Sequence, residues 1–304
     1  MSYPTAVELC EVGPRDGFQF EEKPISTQFK LEIIRELIAA GLSRIQVASF
    51  VHPRKVPQMA DAEEIIDQLG DQDGVIVSGL VLNLKGLERA RNTGLKFVDI
   101  SIATNDHHSR DNANMSAEHA LEEGEQMVRG ALEYGLRPQI GLQTVFGYAS
   151  PGDTPVKTIV NAIERFADFD LDSVSLADTT GMANPKMVEE RLKPVLEMLP
   201  ARQIVLHLHD TRGLGMANVV AALGSGVSRF DTAFGGMGGC PFIPGATGNI
   251  ATEDTVYLLN ALGIRNGVDV GKVSACALRM ERFLGKTLPG RMHTLASESD
   301  ESDS

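Results

Sequence analysis

The stretch SVSLADTTGMANPKMVEERLKPVLEMLPARQIVLHLHDTRGLGMANVVAAL, residues 173–223, contains two consecutive strand–helix units. Each unit begins with a short apolar segment, at 173–177 and at 204–209, which predicts a buried strand. Each continues into an amphipathic segment, at 185–199 and at 215–223, which predicts a helix. Strands and helices that alternate in this way indicate an α/β fold with a parallel sheet.

The same alternation extends in both directions from this stretch. Further strands are predicted at 6–12, 44–49, 75–82, 97–102, 138–146 and 229–234, and further helices at 26–40, 61–69, 84–93, 116–134, 155–168 and 252–262. Eight strand–helix units in roughly 260 residues are typical of a closed (β/α)₈ TIM barrel. One more helix, at 269–284, lies outside the repeat. We therefore predict an α/β fold, a (β/α)₈ TIM barrel with an extra C-terminal helix.

A doubly wound open sheet is the competing architecture. Such a sheet usually carries a phosphate-binding G-x-G-x-x-G sequence after its first strand. The first predicted strand here is followed by GPRDG, residues 13–17, which lacks that spacing. The barrel is therefore favoured. We expect a single barrel domain at 1–290 and an acidic, serine-rich, disordered tail at 291–304.

The charge of the chain limits its partners. The formal net charge is −13, and the last eight residues, SESDESDS, contribute four acidic groups to it. Removing these four charges leaves −9 for the remainder. An acidic body argues against nucleic acid or an anionic membrane as the main partner.

The cysteines and the apolar segments bear on location. Three cysteines, Cys10, Cys240 and Cys276, do not form a disulfide framework. The N-terminal segment lacks the basic start and apolar run of a signal peptide. No apolar segment approaches the ~20 residues that cross a bilayer. We therefore expect a cytoplasmic protein that does not span a membrane.

Polar residues collect at the carboxyl ends of the predicted strands. In a barrel of this kind the active site lies at that end. The residues concerned are Arg15 and Asp16 after the first strand, Gln46 and Ser49 on the second, Gln143 and Thr144 after the fifth, Asp178 after the sixth, His207 and His209 on the seventh, and Cys240 and Asn249 after the eighth. The pattern predicts one active site on this face.

The pair His207 and His209 is the most specific of these features. Residues i and i+2 of a strand point to the same side, so the two imidazoles can bind one ion. Two histidines satisfied by ordinary hydrogen bonds are the alternative. Asp16 and Asn249 supply oxygen atoms at the same rim. Two nitrogens with hard oxygens suit Mg²⁺ or Mn²⁺, with Zn²⁺ or Co²⁺ as alternatives.

Other polar residues admit two interpretations each. Arg15 either forms a structural ion pair with Asp16 or stabilises charge on a substrate oxygen. Cys240, in the glycine-rich segment 234–254, is a proton donor or a weak nucleophile. Asp178 either orients Arg15 or a ligand, or caps the turn into the next helix.

A further histidine pair follows the fourth predicted strand. His107 and His108 lie in the polar segment NDHHSRDN, residues 105–112. We expect this segment to be a solvated loop.

Five segments resemble the 3-hydroxy-3-methylglutaryl-CoA lyase family, a metal-dependent lyase and aldolase group built on a TIM barrel. They are EVGPRDGFQ (11–19), SFVHPRKVPQM (49–59), LADTTG (176–181), HLHDTRG (207–213) and GMGGCPFIPGATGNIATED (236–254). The similarity runs from about residue 6 to about residue 285 and supports the barrel.

The resemblance implies roles for individual residues and a reaction. It implies that Asp16, His207, His209 and Asn249 bind the metal, that Arg15 steadies a thioester enolate, that Cys240 moves a proton, and that Asp178 supports catalysis. The implied reaction is a retro-Claisen cleavage of a 3-hydroxy-3-methylglutaryl-CoA-like thioester to acetyl-CoA and a keto acid. The implied partner is an acyl-CoA, and the C-terminal helix at 269–284 is a candidate homodimer interface.

Three departures from the family pattern point to an altered acyl pocket. Gln46, which we count among the catalytic residues, stands where the family has a glutamate, and Phe20 stands where it usually has asparagine. The fifth strand, GLQTVFG, lacks the family's serine and cysteine. The predicted substrate-binding residues are Gln19, Phe20, Ser49, Gln143 and Thr144.

The departures keep alternative functions open. Citramalyl-CoA and longer-branched 3-hydroxyacyl-CoA thioesters are alternative substrates. An aldolase acting on free hydroxy-oxo acids and a non-catalytic descendant are alternatives of another kind.

Overall fold

The computed structural model describes residues 3–239 and 247–295. Within them eight strands form one closed barrel in the order β1 to β8. Every strand pairs in parallel with its sequence neighbours, and β8 closes the barrel on β1. The predicted (β/α)₈ TIM barrel is therefore confirmed.

The strands are short and buried, as expected of a parallel barrel covered by helices on the outside. All six residues of β2, for example, are buried. The strands are β1 (Glu8–Glu11), β2 (Arg44–Ser49), β3 (Ile76–Val81), β4 (Phe97–Ala103), β5 (Arg137–Gln143), β6 (Ser173–Ala177), β7 (Ile204–His207) and β8 (Arg229–Thr232).

Several strands end earlier than the sequence predicts, and the early ends of β5 and β7 have a local cause. β5 ends at Gln143 because Thr144 has a φ of 58°, which is incompatible with a strand. β7 ends at His207, and His209 instead pairs in an isolated antiparallel bridge with Asn249. This bridge brings the end of the glycine-rich segment 234–254 against the end of β7.

Helices cover the outside of the barrel, several of them started by side-chain caps. Ser26 accepts a hydrogen bond from the Phe29 N–H, and Asn184 accepts one from the Met187 N–H. The helices are α1 (Thr27–Ala39), α2 (Ala62–Leu69), α3 (Leu84–Arg91), α4 (Asp106–Ala113), α5 (Ala117–Glu133), α6 (Val156–Phe166), α7 (Pro185–Met198), α8 (Gly215–Gly224), α9 (Thr252–Ala261) and α10 (Val270–Leu284).

Helix α4 contradicts the expectation of a solvated loop after the fourth strand. The Asn105 side chain accepts hydrogen bonds from the N–H groups of His107 and His108 and so starts a helix. His108 is only 1 % exposed. Burial lowers the pKa of His108 to about 4, so this imidazole is neutral near pH 7.

Helix α10 is the predicted extra helix, and it packs against α1 and α9. The chain beyond it stays in contact with the barrel. The Arg291 and Met292 N–H groups donate to Asp254, and the buried His293 contacts Glu253 and Glu281. Residues 291–293 thus contact the fold, although the tail was predicted to begin at 291, and residues 296–304 lie outside the described part.

Across residues 3–239 and 247–295, no helix combines the length and the apolar character that a bilayer span requires.

Candidate metal centre and active site

A cavity of about 840 Å³ opens at the carboxyl ends of the barrel strands. Six of the ten described residues that the sequence placed at this face line it. The cavity is lined by Arg15, Asp16, Gln19, Phe20, Gln46, Gln143, His207 and His209 among others. The cavity is therefore the candidate active site.

His207 and His209 face each other across the top of β7. Their Nε2 atoms are 3.2 Å apart, and ligand atoms from Asp16 and both histidines all lie within 4.8 Å of one another. Burial and the neighbouring His207 lower the pKa of His209 to about 3. His209 is therefore neutral near pH 7 and can offer a nitrogen lone pair to a cation.

Asp231 holds His207 in the orientation that a metal ligand needs. Its Oδ2 atom lies 3.2 Å from His207 Nδ1. When Nδ1–H donates to this carboxylate, the lone pair of His207 is on Nε2, the atom that faces His209. Sequence reasoning missed Asp231, whose only signal was an acidic residue inside the short buried strand β8.

Asn249 lies beside the same carboxylate oxygen of Asp16 that His207 approaches. Its Nδ2 donates to Asp16 Oδ2 over 2.7 Å and to the Met237 carbonyl over 2.9 Å. Its Oδ1 is buried and has no hydrogen-bond partner among the described residues. Gly238 has a φ of +128°, and a Cβ there would lie 2.4 Å from Asn249 Nδ2, so only glycine allows this approach.

These groups fit a divalent cation. A buried carboxylate, two facing imidazole nitrogens and an unpartnered amide oxygen form a donor set without thiolate. Burial opposes ionisation of Asp16, but the Arg15 guanidinium and then His207 keep the pKa of Asp16 below its ordinary value. Asp16 therefore carries a negative charge near pH 7, as a metal ligand must.

Arg15 lies at the centre of a buried polar chain. It pairs with Asp16 Oδ1 and donates from Nε to Gln46 Oε1. Gln46 in turn donates from Nε2 to Asp99, a residue of β4 that also lines the cavity. The predicted ion pair with Asp16 is present, and Arg15 also lines the cavity, while its role toward a substrate oxygen stays a prediction.

The predicted substrate-binding residues separate into two groups. Gln19, whose Nε2 donates to Asp16 Oδ1 over 2.9 Å, lines the cavity with Gln143 and with Phe20, which is 38 % exposed. Ser49 and Thr144 are fully buried and lie outside the cavity lining. Their role in substrate binding stays a prediction that no described contact supports.

Asp178 occupies the capping position that was one of its two interpretations. Its Oδ1 accepts hydrogen bonds from the Met182 and Ala183 N–H groups, and burial raises its pKa to about 6. Its Oδ2 is buried without a hydrogen-bond partner among the described residues. Its catalytic role stays a prediction, and Cys240 lies outside the described residues.

A closed parallel barrel with two imidazoles and a carboxylate at the carboxyl ends of its strands defines the class of metal-binding barrel enzymes. Within that class the chain belongs to the HMGL-like family, whose model matches residues 6–278. The resemblance to the hydroxymethylglutaryl-CoA lyases is thereby confirmed.

Curated relatives and a solved structure agree with this assignment. The chain is 40% identical to the hydroxymethylglutaryl-CoA lyase YngG of Bacillus subtilis, over 96% of this chain and 97% of the relative. It is 36% identical to the (R)-citramalyl-CoA lyase of Chloroflexus aurantiacus, over 93% of each chain. An HMG-CoA lyase structure from Acinetobacter baumannii, in complex with coenzyme A and 3-methylmalate, matches with a TM-score of 0.91 and 33% identity, over 97% of this chain and 96% of that one.

Proposed function

We propose that the protein is a divalent-metal-dependent carbon–carbon lyase that cleaves a 3-hydroxy-3-methylglutaryl-CoA-like thioester to acetyl-CoA and a keto acid. The observation that supports this most strongly is the convergence of Asp16, His207 and His209 at the cavity. The names of the relatives support the reaction, since they are lyases of hydroxymethylglutaryl-CoA and citramalyl-CoA.

The residues that would hold the metal are Asp16, His207, His209 and Asn249. A divalent cation bound there would lower the pKa of a substrate hydroxyl. When a base or water takes that proton, the hydroxyl oxygen forms the carbonyl of the keto acid as the carbon–carbon bond breaks. Asp231 keeps the His207 lone pair on Nε2. Mg²⁺ or Mn²⁺ is the proposed ion, with Zn²⁺ or Co²⁺ as alternatives.

Arg15 is the proposed electrostatic partner of the leaving group. When the carbon–carbon bond breaks, its electron pair moves to the thioester and forms the enolate of acetyl-CoA. The Arg15 guanidinium lines the cavity and is nearly buried, so its charge acts there with little screening by water. We propose that Arg15 stabilises this enolate and that Gln46 positions Arg15.

Cys240 is the proposed source of the proton that converts the enolate to the methyl group of acetyl-CoA. This role rests on the resemblance, as does the catalytic role of Asp178. Gly239, the residue before Cys240, lines the cavity beside Phe20.

The acyl group is the open part of the proposal. A relative from Pseudomonas aeruginosa, a 3-hydroxy-3-isohexenylglutaryl-CoA/hydroxy-methylglutaryl-CoA lyase, is also 36% identical, so identity does not separate the candidates. The deep wall of this cavity carries Gln46, Asp99, Gln139 and Ser175. A long apolar branch would exclude water from the remaining donors and acceptors of these polar groups without offering hydrogen bonds in return, which favours a short acyl group.

The test is an assay of the purified protein with Mg²⁺, Mn²⁺, Zn²⁺ or Co²⁺ on three thioesters: hydroxymethylglutaryl-CoA, citramalyl-CoA and 3-hydroxy-3-isohexenylglutaryl-CoA. We expect acetyl-CoA and acetoacetate from the first at the highest kcat/KM. Pyruvate as the preferred product would identify a citramalyl-CoA lyase. Absence of cleavage of any thioester with any of the four metals would refute the lyase proposal.

An aldolase acting on free hydroxy-oxo acids is distinguished by calorimetry with coenzyme A alone. We expect binding, because an acyl-CoA lyase needs a coenzyme A groove, whereas an aldolase of that kind does not.

We also propose a cytoplasmic location and a homodimer. The location is supported by the buried free thiols Cys10 and Cys276, which suit a reducing compartment. The dimer is the proposed role of the outer face of α10, whose inner face packs on the barrel through Val273, Ala277 and Met280. Light scattering during gel filtration would give the mass of a monomer or of a dimer.

A further inference from the structure

Gln46 has only one orientation that satisfies both of its neighbours. The Arg15 guanidinium has donors and no acceptor, so Gln46 must turn its carbonyl oxygen to Arg15 Nε. The Gln46 amide nitrogen then points away from Arg15 and needs an acceptor. Asp99 Oδ2 provides it, in a place where both side chains are buried.

Asp99, on β4, is itself held by the neighbouring strand β3. Ser78 Oγ on β3 donates to the same Asp99 Oδ2 over 2.6 Å. Ser78 is directly paired with Gln46 in the β2–β3 register, and Asp99 lies on β4. A row of hydrogen bonds across three adjacent strands therefore ends at Arg15 Nε.

We propose that Asp99 is a positioning residue for Arg15. It holds the Gln46 amide so that the carbonyl oxygen receives Arg15 Nε–H, and this leaves the outer N–H groups of Arg15 for Asp16 and the substrate. The inference rests on the proposed function, in which Arg15 faces the enolate. A glutamate at position 46, as in the resembling family, would accept from Arg15 directly, so Gln46 and Asp99 together replace one carboxylate.

Two single substitutions test the acceptor role in the metal-loaded enzyme. Asp99→Ala removes the acceptor, and we expect kcat to fall about tenfold or more while KM changes little. Asp99→Asn keeps an acceptor oxygen for Gln46 and is expected to retain most of kcat. If Asp99 had only a structural role, both variants would lose yield and Tm, and their kcat values would not differ in this way.

A double substitution tests whether a glutamate at position 46 can replace the pair of Gln46 and Asp99. Gln46→Glu alone places a second carboxylate against Asp99, and we expect it to lower kcat. Gln46→Glu/Asp99→Ala lets the glutamate accept from Arg15 without that repulsion. We expect its kcat to exceed that of Asp99→Ala several-fold, which is the coupling that a double-mutant cycle measures.

Ser78→Ala removes the other hydrogen bond to Asp99 Oδ2 and leaves the contact with Gln46, so we expect a fall in kcat that is smaller than the fall in Asp99→Ala. Asp71→Ala, at an exposed aspartate outside the cavity lining, is the matched control and should keep the wild-type kcat. Wild-type kcat in Asp99→Ala, or a double variant no faster than Asp99→Ala, would overturn the inference. Failure of the wild-type protein to cleave any thioester would instead count against the proposed function.

A second measurement does not depend on turnover. In protein labelled with ¹⁵N-arginine, the Arg15 Nε–H resonance, assigned by its loss in Arg15→Lys, is expected to be protected from exchange with water. We expect protection in the wild-type protein and in Asp99→Asn, and fast exchange in Asp99→Ala. Equal protection in all three proteins would show that Asp99 does not hold Gln46 and Arg15.

Discussion

Asp231 shows how a single residue outside the predicted ligand set can shape the proposed metal centre. Its carboxylate fixes the tautomer of His207 through Nδ1, which leaves Nε2 free for a cation. The two residues are 24 positions apart in the chain. Only the pairing of β7 with β8 brings them together, His207 lying opposite Asp231 in the register.

Substitution of Asp231 should weaken metal binding. We expect Asp231→Asn to raise the Kd for Mn²⁺ about tenfold, because the amide oxygen still accepts the hydrogen bond but carries no charge. Asp231→Ala should have a larger effect. Titration of EDTA-treated protein with Mn²⁺ measures both. Asp71→Asn, at a side chain that is 85 % exposed, is the matched control, and an Asp231→Asn affinity equal to that of the control would contradict the assignment.

Sequence reasoning found the residues whose signal is local and missed those whose partners are distant. The spacing of His207 and His209 shows directly that both point to one side of a strand. Asp99 and Gln46 are 53 positions apart, and nothing near either one shows that they meet. The sequence therefore indicated the proposed metal ligands but not the groups that orient them.

At the scale of strands and helices, Glu11 connects the end of β1 to the start of the glycine-rich segment 234–254 and to the start of α9. From the end of β1 it accepts hydrogen bonds from the Gly13 and Phe234 N–H groups and from Thr252 Oγ1 at the start of α9. It is completely buried, and this burial raises its pKa from 4.5 to about 8, against the lowering effect of the hydrogen bonds from Thr252, Gly13 and Phe234.

The raised pKa of Glu11 makes stability depend on pH. A carboxyl group whose pKa is higher in the folded than in the unfolded chain binds a proton on folding. Its contribution to the free energy of unfolding is complete below pH 4.5 and is lost as the pH rises through about 8. We expect the free energy of unfolding to fall between pH 5 and pH 8 by at least about 1.4 kcal/mol more in the wild-type protein than in Glu11→Gln.

Urea unfolding at the two pH values measures this difference, and the variant serves as its own control because glutamine does not titrate. An equal change with pH in the two proteins would show that Glu11 is ionised throughout this range.

A strand or a helix could be predicted from the sequence where its apolar residues recur with the period of that element. The strands and the amphipathic helices show such a period, and their order was enough to predict the barrel. Helix α4 was missed because its sequence, DHHSRDNA, has no apolar stripe, and its start depends on the Asn105 cap. The early ends of β5 and β7 were missed because they depend on a positive φ at Thr144 and on pairing with Asn249.

At the scale of the whole molecule, the segment that follows α10, residues 285–295, contacts elements that lead to the active-site face. His293 is buried between Glu253 and Glu281, and the Gly290 N–H donates to the Gly235 carbonyl in the glycine-rich segment. Hydrogen bonds from charged partners are among the stronger ones. The packed part of the chain therefore extends beyond the predicted domain boundary at 290.

Two deletions test the position of that boundary. Deletion of residues 291–304 removes His293 and leaves Glu253 buried without this partner, and we expect it to lower the free energy of unfolding by about 1–3 kcal/mol. Deletion of 296–304 leaves every contact described here and is the matched control. Equal stability of the two truncated proteins would place the boundary at 290, as the sequence predicted.

The most direct test of the account is pulsed electron paramagnetic resonance of EDTA-treated protein titrated with Mn²⁺. We predict that one Mn²⁺ binds per chain and that its electron spin couples to two imidazole nitrogens. The number of coupled nitrogens should fall to one in His209→Ala and stay at two in His119→Ala, which alters an exposed histidine of α5. Absence of stoichiometric binding, or bound Mn²⁺ without nitrogen coupling, would contradict the convergence of Asp16, His207 and His209 on one cation.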